Sequence, residues 1–286
     1  VPIPQFTLSP QEIRDLRPPN ADRAPPPPPP AATRAAEAVD AAEAASLATR
    51  PRPDQRTLTP LLWRRFLNAT SALRMPDAAS PNYGDFVAIH DRAMRTMSGM
   101  MWGAHSMPDM GHDGRNFLAW HRNYLWSFEL RLRAVDPTVA IPYWDWTVDR
   151  AVPAGISDPV DLRYWNVIRG VPFRPNLLPD TAWINAVMNT GVANHDFRAF
   201  QTALEQAHNA VHSTVGGTMS LSTSPTDPVF WLHHAFIDKL WSDWQLAHVD
   251  ASFDPPNRTE LMRPAPIVTF LVGQVLDPAL LGYHYG

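Results

Sequence analysis

SPTDPVFWLHHAFIDKLW, residues 224–241, decides how this chain is read. From Pro228 to His248 apolar residues recur three and four positions apart, the period of an amphipathic helix. The apolar face nevertheless carries His234, with Phe230 four positions before it and Asp238 four after. Three more stretches share the pattern, roughly Tyr83–Met97, Arg115–Val135 and Phe197–His212. In YGDFVAIHDRAM, His90 follows Phe86 by one turn, and in FLAWHRNYLWSFEL, His121 stands among Phe117, Leu118 and Leu125. In LEQAHNAVHSTVGG, His208 and His212 sit one turn apart. Such a pair alone reads either as a metal clip or as two polar side chains on a solvated face.

Long connections rich in Pro and Gly, such as PYWDWTVDRAVPAGISDP and RGVPFRPNLLPD, separate these helices, and strand signals are few and short. The pattern predicts a mainly α fold, a four-helix bundle with long irregular loops and few short strands, able to build a dinuclear site between facing helices. Residues 1–55 differ in kind. PPPPPP at 25–30 and the run AATRAAEAVDAAEAASLATR read as a Pro/Ala-rich arm, a polyproline spacer joined to a helix-favouring piece without a broad apolar stripe. Residues 56–286, with no further break in composition, read as one domain.

With 24 basic and 28 acidic residues the net charge is −4, so no basic excess points to nucleic acid or an anionic membrane. No apolar run approaches the roughly 20 residues of a spanning helix. The opening VPIPQFTLSP lacks the layout of an export signal, and localisation stays open between the cytoplasm and export after loss of a signal. There is no Cys, which removes thiolate ligands and nucleophiles and leaves His and carboxylate to hold any metal. A buried imidazole without a partner costs roughly 1–3 kcal/mol. Four helices each offering one or two histidines to a common interior therefore call for a ligand, and imidazole donors suit copper or zinc.

YGDFVAIH, GHDGRNFLAWHRNYLWSFE, IPYWDW, LEQAHNAVHSTVGGTM and SPTDPVFWLHHAFIDKLW together resemble the successive motifs of the tyrosinase family of dinuclear copper proteins, its bacterial members above all. The resemblance runs from about Arg56 to the C-terminus, where GYHYG resembles the Tyr-x-Tyr element of relatives. It implies two copper ions, the first held by His90, His112 and His121, the second by His208, His212 and His234, with O2 as co-substrate. His105, inside MSGMMWGAHSMPDM, is the alternative to His90 as first ligand. His233 reads as a residue behind the ligands or at the surface, because neighbouring helix positions diverge by about 100°. His195, His248 and His284 read as ordinary histidines.

The resemblance also implies a Glu and an Asn that hold a water near the second copper to deprotonate a monophenol, here Glu205 and Asn209, with a solvated helix acid as the competing reading of Glu205. Phe117 and Phe230, each four residues before a histidine, are candidate apolar covers for the metals, or plain core. Asp238 is a candidate acceptor for a ligand ring, and Asp145 in PYWDW another. Ser213 and the loop Thr218–Ser224, with Ser222, are expected at the substrate mouth. The implied activity is hydroxylation of monophenols and oxidation of o-diphenols to o-quinones. The alternatives are a catechol or o-aminophenol oxidase without hydroxylase activity and a haemocyanin-like O2 carrier. A carrier is disfavoured, because no shielding domain is evident after the catalytic one. The expected partners are a small phenolic substrate and a copper-delivery chaperone.

Overall fold

A computed structural model describes residues 52–95, 104–107, 112–170, 172–263 and 268–285, with backbone alone at 106, 107, 112 and 113. The described residues form seven α-helices: α1 Pro60–Ala72, α2 Tyr83–Arg95, α3 Phe117–Val135, α4 Pro159–Tyr164, α5 Thr181–Asn189, α6 Phe197–Val215 and α7 Val229–Ala247. The fold is mainly helical, as the sequence predicts. Its one described sheet is a two-residue antiparallel ribbon of β1 Ser106–Met107 and β2 His112–Asp113, with Met107 opposite His112.

Local chemistry sets the helix ends. Thr59 caps α1, accepting from the Leu62 amide, and Pro60 takes the first helical position. Asp196 caps α6 through the Ala199 amide, and Asp227 accepts from the Val229 amide at the start of α7. At the other end of α6 the chain turns through Gly216 (φ 67°) and Gly217 (φ 56°), where a Cβ on Gly217 would fall 2.2 Å from the Ile168 carbonyl oxygen. This turn folds residues 217–220 back against the last turn of α6.

The four histidine-bearing helices α2, α3, α6 and α7 surround an aromatic core. Phe128 of α3 stacks on Trp231 of α7 with centroids 3.6 Å apart, Phe86 of α2 meets both rings edge-on, and Phe200 of α6 stacks on Trp244 at 4.3 Å. Burying a side chain such as Phe contributes roughly 1.5–3 kcal/mol. A partly exposed ion pair such as Arg65–Asp136 contributes only about 0–1 kcal/mol, so packing holds the bundle.

A buried ionic knot closes one side. The Asp238 carboxylate of α7 accepts from Arg122 Nε of α3 at 2.6 Å, Arg52 Nη1 at 3.2 Å, Tyr283 OH at 2.6 Å and Tyr285 OH at 2.8 Å. Arg52 also pairs with Glu129, and its backbone bridges to Tyr285. The closing Tyr-x-Tyr element and the segment Arg52–Gln55 are thus part of the domain, whereas the rest of the Pro/Ala-rich arm lies outside the described residues. Asp238, expected to orient a ligand histidine, is fully engaged by two guanidiniums and two phenols instead. Those cations depress its carboxyl despite burial.

Candidate metal centre

Six histidine rings from four helices and the residue before β1 meet at the centre of the bundle. His90 comes from α2, His121 from α3, His208 and His212 from α6, His234 from α7, and His105 from the residue preceding β1. The nitrogens of His90, His105 and His121 lie within 4.8 Å of one another, and so do those of His208, His212, His233 and His234. The groups face each other. His121 and His234 stack with centroids 4.4 Å apart, and His105 stands 6.1 Å from His208.

Outward-facing nitrogens decide which nitrogen is left for a metal. His90 Nδ1 donates to the Ser222 carbonyl at 2.7 Å, His121 Nδ1 to the Phe117 carbonyl at 2.8 Å, and His212 Nδ1 to the Met219 carbonyl at 2.6 Å. His208 Nδ1 faces Asn209 Oδ1 at 3.1 Å. Each tie fixes the proton on Nδ1 and leaves the Nε2 lone pair pointing inward. In the first group Nε2 of His90, His105 and His121 is buried without a hydrogen-bond partner. In the second, Nε2 of His234 lies 3.1 Å from that of His208 and 3.3 Å from that of His212. Lone pairs converging in this way repel unless a proton or a cation stands between them, so the donor set fits a metal ion in each half.

Burial keeps the rings in the ligating form. Desolvation pushes His90 and His212 down to about 4, and holds His105, His121, His208 and His234 well below the usual imidazole range. At neutral pH all are uncharged imidazoles, the state a metal requires.

His233 joins the second group but is held from outside it. Its Nδ1 accepts from Trp146 Nε1 at 3.0 Å, which places its proton on Nε2, and its ring stacks on His208 at 5.1 Å. Trp146 is the residue of IPYWDW that serves the site. Asp145 accepts instead from the Thr147 amide and hydroxyl and caps a turn. Phe230 stacks on His234 at 4.0 Å and meets His90 edge-on at 5.0 Å, while Phe117 packs against His208 at 4.8 Å and His121 at 4.9 Å. Both phenylalanines are fully buried, wedged between the histidine rings.

A cavity of about 240 Å³ opens above the rings of His90, His208 and His212, walled further by Asn209, Ser213 and Ser222. This is below the roughly 300–1,000 Å³ typical of pockets for drug-sized ligands, a size for one aromatic ring. Glu205 is buried at 3% exposure and is not a solvated helix acid. Its carboxylate lies 4.0 Å from His105 Nδ1 and is not among the cavity walls. Of His112 only the backbone is described; among the described side chains His105 stands beside His90 and His121. His195 meets Ser252, and His248 donates from Nδ1 to the Trp244 carbonyl, both away from the rings.

A family profile described as the common central domain of tyrosinase matches residues 80–170 and 171–247. The tyrosinase of Streptomyces glaucescens is 33% identical over 246 residues, covering 71% of this chain and 85% of that protein. The chain belongs to the tyrosinase family. Hemocyanin 1 of Megathura crenulata is 32% identical over 169 residues, 49% of this chain but 5% of that protein. The crystal structure of grape (Vitis vinifera) polyphenol oxidase shares the fold, with a TM-score of 0.63 at 21% identity over 83% of this chain and 85% of that one. As a member of the tyrosinase family the chain is a copper-dependent phenol oxidase whose cofactor is a pair of copper ions. No helix among the described residues is long and apolar enough to cross a membrane.

Proposed function

We propose that this enzyme hydroxylates monophenols to o-diphenols and oxidises o-diphenols to o-quinones, with O2 as co-substrate. Two facing histidine groups at the floor of a one-ring cavity are the observation that carries the reading. The copper pair, when bound, supplies the two-electron exchange with O2. The residues of the chain do the rest. His90, His121, His208, His212 and His234 hold the metals. Carbonyls of Ser222, Phe117 and Met219 keep each Nε2 aimed inward, and Phe117 and Phe230 exclude water from between the rings.

For the remaining ligand of the first copper we propose His112. It lies with His121 in the unbroken block GHDGRNFLAWH, whereas His105 lies outside that block. A monophenol, with a free pKa near ~10, must shed its proton to react at neutral pH. We assign this to a water shared by Glu205 and Asn209, one turn apart on α6. A second reading, an o-diphenol oxidase alone, is supported by the approach of Glu205 to His105 at 4.0 Å and by a cavity lining that does not include Glu205. Assay of copper-loaded protein on paired monophenols and catechols divides the two. Turnover of both classes supports the proposal, turnover of catechols alone gives the second reading, and copper binding without turnover would leave a carrier.

A further inference from the structure

Asn116, the residue before α3, is 1% exposed, yet its side chain does not cap that helix. It turns to the C-terminal part of the chain instead. Asn116 Nδ2 donates to Glu260 Oε1 at 2.7 Å, and Arg115 Nε reaches Oε1 and Oε2 of the same carboxylate at 3.1 and 3.0 Å. Asn257 Nδ2 closes the cluster, donating to Asn116 Oδ1 at 2.6 Å and to Glu260 Oε2 at 3.1 Å. We infer that Glu260 is a positioning residue for the first copper, its carboxylate fixing the stretch of chain that carries both candidate ligands, His105 and His112. This holds whichever of the two histidines binds, and whether or not the enzyme hydroxylates.

Residues 114–116 follow directly on β2, His112–Asp113, which pairs with β1, Ser106–Met107, and His105 is the residue before β1. A ribbon of two residues per strand is too short to hold its own place. Its place is set where the chain leaves it for α3. On one side Gln201 of α6 donates from Nε2 to the Gly114 carbonyl at 3.0 Å and accepts from the Leu118 amide at 3.4 Å. Glu260 holds the other side and is itself fixed. Its amide donates to the Asn257 carbonyl and its carbonyl accepts from the Val272 amide, both at 2.9 Å, while the Arg258 carbonyl accepts from the Gly273 amide at 2.7 Å.

The cluster requires a carboxylate at 260. Donors stand on both oxygens, so an amide in its place would set its NH2 against Arg115 and either Asn116 or Asn257. The Arg115 and Glu260 side chains keep 30% and 17% exposure, and a partly exposed pair of this kind adds little to global stability. The effect of losing it is therefore local. His208, His212 and His234 stand on α6 and α7, which the aromatic core holds, so the second copper is left alone while the first loses the alignment of one ligand.

Titration of the full chain, stripped of metal, with chelator-buffered cuprous ion reads each site alone in two backgrounds: His212→Ala, which keeps the first site, and His121→Ala, which keeps the second. Glu260→Gln is expected to weaken copper binding about 10–100-fold in the first background, the usual effect of removing a contact that orients a ligand, and to leave it unchanged in the second. Arg115→Gln, which takes one donor from the same carboxylate, is expected to act in the same direction at the first site alone, and it decides the matter should Glu260→Gln not fold. Unaltered affinity at the first site, or equal weakening in both backgrounds, would overturn the assignment.

Discussion

His90 Nδ1 donates to the carbonyl oxygen of Ser222 at 2.7 Å, joining residues 132 positions apart in the chain. The residue after His90, Asp91, takes the Ser222 hydroxyl at 2.5 Å, so α2 grips both ends of one serine. A ring of the first histidine group is thus oriented by the loop that walls the second. Met219, on the same excursion, does the like for His212. The loop between α6 and α7 therefore aims a ring in each half of the site.

Copper analysis of single variants assigns the contested ligand. His112→Ala is expected to fall from two coppers per chain toward one, and His105→Ala to keep two. The reverse pattern would give the place to His105, as the structure arranges it.

Glu205→Gln preserves shape and removes the charge. If Glu205 takes the phenolic proton, its monophenol-to-catechol activity ratio falls by about 10²–10⁴-fold, the usual worth of a general base, with catechol turnover kept. An unchanged ratio would mean that the carboxylate serves His105, 4.0 Å away.

Asp238→Ala leaves Arg52 and Arg122 buried without their shared anion. Breaking a buried pair from one side costs about 3–5 kcal/mol. Chemical denaturation is expected to show that loss while copper stoichiometry in the folded fraction stays at two, since no ligand histidine bonds to Asp238.

The buried histidines make the metal-free protein sensitive to acid. His90 and His212 sit at about 4 when folded and near 6.5 when unfolded, so the unfolded chain takes up protons first. Stability is complete above about pH 6.5 and is lost as pH falls toward 4. Thermal melts of copper-free protein should drop across that window, and copper loading should displace the drop to lower pH, because metal competes with protons for the same nitrogens. A melting temperature flat from pH 7 to pH 4 would refute this.

Helix period and residue type carried much of this protein in one dimension. The histidines of α2, α3 and α7 stand four residues after Phe86, Phe117 and Phe230, and His208 of α6 four after Leu204, so local geometry alone puts them on the packed faces. What the sequence did not show were the atoms that orient the rings. Ser222, Phe117 and Met219 act through backbone carbonyls, which every residue has and no motif records. Trp146 was hidden for another reason: an indole in an aromatic-rich segment reads as core until His233 is found beside it. The partners of Asp238 come from distant parts of the chain, and only close packing in three dimensions decides whether a carboxylate meets a histidine or two arginines.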